Sequence, residues 1–353
     1  MIRVVCLLPL VLSCLGTGSK LCPHRCLCSE NSDLVDCRAR GFTYIPHGIP
    51  HGTWLLDLSE NKLHELSSTT FTGIWALRIL LLQNSGVQAL QPQALASLSF
   101  LEKLDLSHND LRSLAQDFSR GLMALRDLRL SHNSLECLES RSFAHLESLE
   151  KLDLSHNHIR VIQSGAFHGL TGLKQLNLAW NQLTVLQGGL LTMQQRLGVL
   201  LLGHNNISSI ETEAFAPLQS LGVLGLEANQ LGNLKFKTFL NLQAPSTHMQ
   251  LSENPWLCDC ELHRIFSKIL HVRRLHIDDY WNITCHSPPP LAGAFPALID
   301  SQLCVAETAT VLVITATVMI TVVAAIAMAE RNRRKKRLNL AKQGNESEAA
   351  LNK

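Results

Sequence analysis

The stretch Leu149 to Gly172, LEKLDLSHNHIRVIQSGAFHGLTG, constrains this chain more than any other feature, because its pattern returns at one fixed period on both sides. Leu149, Leu152, Leu154, Asn157, Ile159 and Ile162 fill the template L-x-x-L-x-L-x-x-N-x-L, in which apolar residues turn inward and one Asn sits at a fixed offset. Asn61, Ser85, Asn109, Asn133, Asn157, Asn181, Asn205 and Asn229 are evenly spaced, and Asn254 follows one position late. A unit this small cannot bury its apolar edge alone, so neighbouring turns must stack on it. Amphipathic helices do not account for the pattern, because L-x-x-L-x-L mixes a strand's period of two with turns.

That wording is identified as the leucine-rich repeat. It implies an α/β solenoid, a horseshoe with parallel strands on its concave face and an irregular or short-helical convex side. A buried Asn is expected to donate its side-chain amide to carbonyls of adjacent turns, where strand hydrogen bonds run out. Ser85 can do only part of this, so repeat two reads as the weakest link. Phe71, Phe143, Phe167, Phe215 and Phe239 lie in register on the outer side of the turns, with Phe118 one residue early.

The ends of the array are read from cysteine and hydropathy. Residues 1–18 carry Arg3, an apolar run from Val4 to Leu15 and small residues before Ser19, the layout of a secretory signal peptide. Export supplies the oxidising compartment in which cysteines pair. Of the 11 cysteines, Cys22, Cys26, Cys28 and Cys37 precede the first repeat, and Cys258, Cys260, Cys285 and Cys304 follow the last. No fitting His spacing accompanies the first cluster, which favours disulfides over zinc, but four cysteines allow three connectivities and spacing does not choose among them. Both clusters resemble the cysteine caps of extracellular leucine-rich repeat membrane proteins. The resemblance implies pairs Cys22–Cys28, Cys26–Cys37, Cys258–Cys285 and Cys260–Cys304, with a short helix over the final turn from about Glu261 to His271. The expected boundaries are 19–52 for the first cap, 53–253 for the repeats and 254–304 for the second cap.

Residues between the inward leucines point to the concave face. In repeats three to five, Lys103, Asp127 and Lys151 run beside Asp105, Arg129 and Asp153, so opposite charges neighbour one another and the centre reads as a solvated, self-neutralised surface. Repeats seven and eight instead place Val199, Leu201, Gly203, Val223 and Gly225 there, bordered by Trp180 and His204. An apolar strip of this kind marks a contact surface, with Trp as an anchor; packing under a loop of the second cap is the alternative. Trp180, Val199, Leu201 and Val223 are therefore the candidate partner-binding residues.

His108, His132, His156 and His204 share the place before the ladder Asn. The first three should form a column, and parallel rings converge poorly on one ion, so no metal is expected there. Cys137 stands alone and reads as buried and inert. Asn206-Ile-Ser208 and Asn282-Ile-Thr284 are glycosylation acceptors.

Residues 308–329 carry no charge and are long enough to cross a membrane, and Arg331, Arg333, Arg334, Lys335, Lys336 and Arg337 follow at once. A basic run beside a single span is the cytoplasmic anchor, which puts the repeats outside the plasma membrane and residues 330–353 inside. Anionic lipid contact is a secondary expectation for that run. A net charge of +2 argues neither for nor against nucleic acid, but read by position the basic run is the membrane anchor, so no nucleic-acid partner is expected. Phosphate loops, nucleophile elbows and H-E-x-x-H are absent, so neither an enzyme nor a cofactor is expected.

Two functions are consistent with these features: a single-pass surface protein of type I recognising a protein ligand through its concave face, and an accessory subunit of a channel or receptor in the same membrane. The second rests on Val305, Ala306 and Glu307 alone standing between Cys304 and the span. That layout is similar to the auxiliary γ subunits of large-conductance calcium-activated potassium channels. Oligomeric state and ligand identity are not encoded in any motif. On intact cells an antibody to the repeats should stain and one to the tail, 330–353, should not; tail staining of intact cells would reverse the orientation.

Overall fold

The computed structural model describes residues 22–29, 33–115, 117–296 and 301–351, with side chains from 309 to 337 in the last stretch. The expected signal peptide lies outside the described residues. The chain divides into two units, Met1–Pro296 and Ala297–Lys353.

Among the described residues of the first unit, twelve strands form one sheet in which the repeat strands are consecutive and parallel. The repeat strands are short, as in Lys103–Asp105, Asp127–Arg129 and Lys151–Asp153. The alternation in L-x-L sends the middle residue inward. Leu104, Leu128, Leu152, Leu176 and Leu200 are 0–2% exposed, and each such burial contributes about 1.5–3 kcal/mol. Pairing is in register from repeat to repeat, Leu104 opposite Leu128 and Leu128 opposite Leu152. Behind the sheet the convex side is mostly turns, with one short helix at Phe236–Leu240. Its core is the phenylalanine spine: Phe71, Phe118, Phe143, Phe167, Phe215 and Phe239 are all buried, and Phe143 and Phe167 stack with centroids 6.2 Å apart.

The Asn ladder joins the turns where each strand ends. Asn157 Nδ2 donates to the carbonyls of Leu130, Leu154 and Ser155, and its Oδ1 accepts from the Leu135 backbone N–H at 3.0 Å. Asn109, Asn133, Asn181, Asn205 and Asn229 repeat that set with their own neighbours. The residue before each ladder position has φ between 50° and 59°, and from Glu60 to Ala228 its N–H bonds a carbonyl of the next repeat, as His132 does to Ser155.

At repeat two a backbone group supplies the acceptor that Ser85 lacks. Ser85 Oγ donates to the Leu58 carbonyl at 2.9 Å, but a hydroxyl lacks the amide oxygen that would accept from Leu63. The Ser85 backbone carbonyl takes that place, accepting the Leu63 N–H at 2.7 Å. Gly86 directly follows with φ 66°, a conformation that no other residue after a ladder position adopts among the described residues. A glycine holds it without the Cβ penalty of left-handed backbone.

Disulfides tie both ends. Cys22 is bonded to Cys28, Cys26 to Cys37 and Cys258 to Cys285. Cys260 is also disulfide-bonded; the side chain of Cys304 lies outside those described. The first cap adds an antiparallel hairpin, Leu27–Ser29 with Leu34–Asp36, to the edge of the sheet. The second lays the helix Cys260–His271 over the last turn, burying Leu262, Ile265, Phe266 and Ile269, with Asp259 accepting from the Leu262 N–H at 2.8 Å as its N-cap. The Asp279 carboxylate accepts from the Leu251 N–H, which a further repeat would have met, and from the Ser252 N–H, whose counterparts in repeats one, three and five bond the Asp two residues earlier.

In the second unit one long helix, Ser301–Leu351, contains the segment Ala309–Arg337, long and apolar enough to cross a membrane. The hydroxyls of Thr315, Thr317 and Thr321 donate to carbonyls three or four residues back, so these side chains are satisfied within the helix, as a lipid environment requires.

Gly86→Ala should destabilise the solenoid by about 1 kcal/mol through the left-handed penalty alone, since a Cβ there meets nothing within 4 Å. Asn157→Ala, which strands several buried polar groups, should cost about 3 kcal/mol. Urea unfolding of the two variants beside the parent measures both.

Candidate functional site: the concave face

From repeat three onward the concave face divides into two chemistries, while repeats one and two place half-buried Leu55, Ile79 and Leu81 on it. At its centre the charges pair as neighbouring strands bring them together: Lys103 Nζ lies 3.9 Å from Asp127, and Arg129 lies 3.5 Å from Asp127 and 3.7 Å from Asp105. The aspartates also do structural work that a reading of surface charge overlooks. Asp105 Oδ1 accepts from both the N–H and the hydroxyl of Ser107, and Asp153 does the same for Ser155. This Asp-x-Ser clasp bends the chain out of the strand, and it leaves the Asp105 side chain 1% exposed. The charge on this face is committed twice, to the turn and to its neighbour.

Repeats seven and eight lack the clasp. Leu201-x-Gly203 and Gly225-x-Glu227 stand where repeats one, three and five carry Asp-x-Ser; repeats two, four and six carry Leu81-x-Gln83, Arg129-x-Ser131 and Asn177-x-Ala179. Val199 pairs with Val223 and Leu201 with Gly225 across the sheet. Val199, Leu201 and Val223 are half-buried, and the first two line a shallow hollow of ≈ 260 Å³ with Asp127, Arg129, Lys151 and Asp153. The candidate residues Val199, Leu201 and Val223 thus form one strip at the end of the charged centre.

Trp180 also belongs to the ring column, which the sequence reading confined to histidines. It occupies the place before the ladder Asn and completes a column of five parallel rings, His108, His132, His156, Trp180 and His204. Successive centroids are 4.1, 4.1, 5.2 and 3.8 Å apart and the planes tilt by 8–11°. Its offset from Asn181 matches that of each histidine from its own Asn, so the signal was in the sequence. The ring is 50% exposed and forms part of the wall beside the strip. Stacked rings present edges, and among the described residues no group of three or more His, Cys, Asp or Glu is arranged to hold a metal.

Partial burial between its neighbours, reinforced by repulsion from His108 and His156 and opposed by Asp153, holds His132 below the ordinary imidazole value. Burial first, and then Glu139, pushes the Cys137 thiol up, away from the reactive thiolate. Asn206 and Asn282 are both exposed, Asn282 at the end of a short turn, Tyr280–Asn282.

Comparison with known proteins places the repeats. A family model described as leucine rich repeat matches six overlapping windows from 54–111 to 181–231, which together run over half of the chain. The leucine-rich repeat and immunoglobulin-like domain-containing nogo receptor-interacting protein 1 of Xenopus tropicalis is 34% identical over 93 residues, 25% of this chain and 15% of that protein. The leucine-rich repeat and transmembrane domain-containing protein 1 of Mus musculus is 37% identical over 65 residues, 18% of each. The chain therefore spans under a fifth of the length of these two relatives. Among solved structures, human 5T4, the trophoblast glycoprotein, superposes with a TM-score of 0.61 at 26% identity, covering 80% of this chain and 98% of that one.

A histidine with a lowered folded-state value binds fewer protons than its unfolded counterpart as pH falls below about 6.5, so its contribution to stability is lost on acidification. The melting temperature of His132→Gln should therefore fall less than the parent's between pH 7 and pH 5; equal falls would remove His132 as a source of acid sensitivity.

Proposed function

This chain belongs to the leucine-rich repeat family, and from that premise we infer that it is a single-pass cell-surface protein whose concave face recognises another protein. The observation that carries the reading is the contrast on that face. The central charges are consumed by their own neighbours and turns, whereas Val199, Leu201 and Val223, walled by Trp180, leave apolar surface where solvent would otherwise stand. Apolar strips with an aromatic edge favour a partner, because removing them from water is the main source of association energy. The name of one relative, a nogo receptor-interacting protein, and the transmembrane domain in the name of another support the same class.

In this reading the repeats and disulfide caps face the outside, where oxidation is possible, and the residues around Arg331 to Arg337 anchor the inner end of the span. The proposed layout keeps the boundaries 1–18, 19–52, 53–253, 254–304, 308–329 and 330–353, with glycans on Asn206 and Asn282. An accessory role beside a channel or receptor in the same membrane is the second reading, favoured by the short connection between Cys304 and the span.

Cross-linking on living cells, followed by identification of what co-purifies, tests both. A partner on an opposing cell or in solution supports the first reading, and a partner in the same membrane the second. Leu201→Asp should reach the surface at a cost of about 1 kcal/mol or less and should lose the cross-linked partner. Lys103→Ala, a charge already paired with Asp127, should retain it. Retention of the partner by Leu201→Asp would show that another face is used.

A further inference from the structure

Beside the apolar strip lies a carboxylate that the fold does not use. Glu227 occupies the place that five other repeats give to serine: Ser59, Ser107, Ser131, Ser155 and Ser252. Three of those serines donate their N–H to the clasping aspartate two residues earlier. In repeat eight the residue two earlier is Gly225, so the clasp is gone and the acid has moved to the end of the motif. Its carboxylate leans back across Gly203 and Gly225. A Cβ on Gly203 would overlap Glu227 Oε1, and one on Gly225 would lie 3.0 Å from Oε2 and 3.4 Å from a Leu201 methyl. Both glycines are what allow the carboxylate to rest there, against the apolar strip. Glu227 Oε2 is buried with no hydrogen-bond partner among the described residues, and no cation of the described residues pairs with Glu227. A buried oxygen left without a donor opposes folding, and serine at this place would avoid it.

A second vacancy adjoins the first. The ring column ends at His204, whose partner on one face is Trp180 at 3.8 Å. The next place belongs to Ala228, with the same left-handed backbone, φ 51° against 55° at His204, but only a methyl group. The place after that is Glu253, which is exposed. Among the described residues the ring stack therefore ends at His204, and the next place carries only a methyl group, with Glu227 and Glu253 beside it.

We propose that this gap receives an arginine side chain of the protein partner, its guanidinium stacked on the free face of His204 in the place above Ala228 and paired with Glu227, its alkyl stem lying along Leu201 and Val223. The assignment rests on the reading of the strip as a partner surface and names the group that it selects. Arginine fits where lysine does not, because its planar cation both continues a ring stack and meets a carboxylate with two parallel N–H donors. Glu253 adds long-range attraction at the rim.

The test uses the full chain in lipid nanodiscs and three tripeptide probes, acetyl-Leu-Arg-Leu-amide and its citrulline and lysine counterparts, with binding followed by saturation-transfer NMR. The arginine peptide should bind at least about tenfold more tightly than either counterpart, the scale of one charge-assisted hydrogen bond. Glu227→Gln should weaken it by a similar factor while melting no lower than the parent, since Oε2 makes no hydrogen bond that the change would break. Ala228→Trp should fill the gap and abolish binding; Trp180 shows that a tryptophan is held in this backbone conformation. Equal binding of the three peptides, no binding of the arginine peptide, or an unchanged response in Glu227→Gln each overturns the assignment. The two levels separate cleanly: if Leu201→Asp loses the cellular partner while Glu227→Gln behaves as parent in both assays, the arginine assignment fails alone. If Leu201→Asp keeps the partner, the strip itself is not the binding surface.

Discussion

The buried amide ladder is the interaction on which the rest of this structure depends. A short parallel strand satisfies few of its own backbone groups, and every turn ends with carbonyls and N–H groups directed into the interior. An Asn side chain carries both donors and an acceptor, and at Asn157 it binds carbonyls in two turns while accepting from a third segment. Each ladder residue thereby closes its own turn and joins it to its neighbour, so stability passes along the solenoid one interface at a time. Repeat two shows that the requirement is for an acceptor at that point rather than for Asn itself. The Ser85 carbonyl serves once Gly86 lets the backbone turn.

The same geometry generates the surface. Because the residue before each ladder position is left-handed and, from Glu60 to Ala228, its N–H is tied to the next repeat, its side chain recurs at one place per turn. Where those side chains are rings they stack, and the column from His108 to His204 follows without any requirement for a ligand. The concave strands obey a parallel logic. Asp-x-Ser closes the strand exit and leaves charge that neighbouring strands neutralise, giving a firm and self-satisfied centre. Repeats seven and eight carry no such clasp, which repeats one, three and five have, and hold Leu201, two glycines and Glu227 instead. Stability alone does not favour that exchange, since it removes turn hydrogen bonds and leaves Oε2 unpartnered, and departures from a locally consistent pattern concentrate where a protein binds.

The caps answer a different problem. A stack of identical turns has two raw apolar faces and two rows of unpaired strand groups. Here a disulfide-bonded hairpin covers one end and a helix covers the other, with Asp279 accepting from N–H groups of the last turn. Their chemistry is redox chemistry, which ties correct closure of the solenoid to an oxidising compartment.

The sequence by itself determined the repeat length, the inward leucines, the phenylalanine spine, the Asn ladder and the existence of an apolar strip at repeats seven and eight. Each of these is a periodic or local property, and a constant repeat length translates directly into a position on a turn. The helix over the second cap was legible nearly to its ends, expected from Glu261 and found from Cys260 to His271. Only the tertiary structure decided how neighbouring turns use what the period places side by side. It brought Trp180 into the ring column, converted the concave aspartates from surface charges into turn clasps, and replaced a missing side-chain acceptor at repeat two with a backbone carbonyl. It also laid the Glu227 carboxylate over glycines of two strands. Each of those outcomes depends on the distance between atoms that the chain separates by a full repeat, and a linear pattern records the register of such atoms but not whether their hydrogen bonds are met.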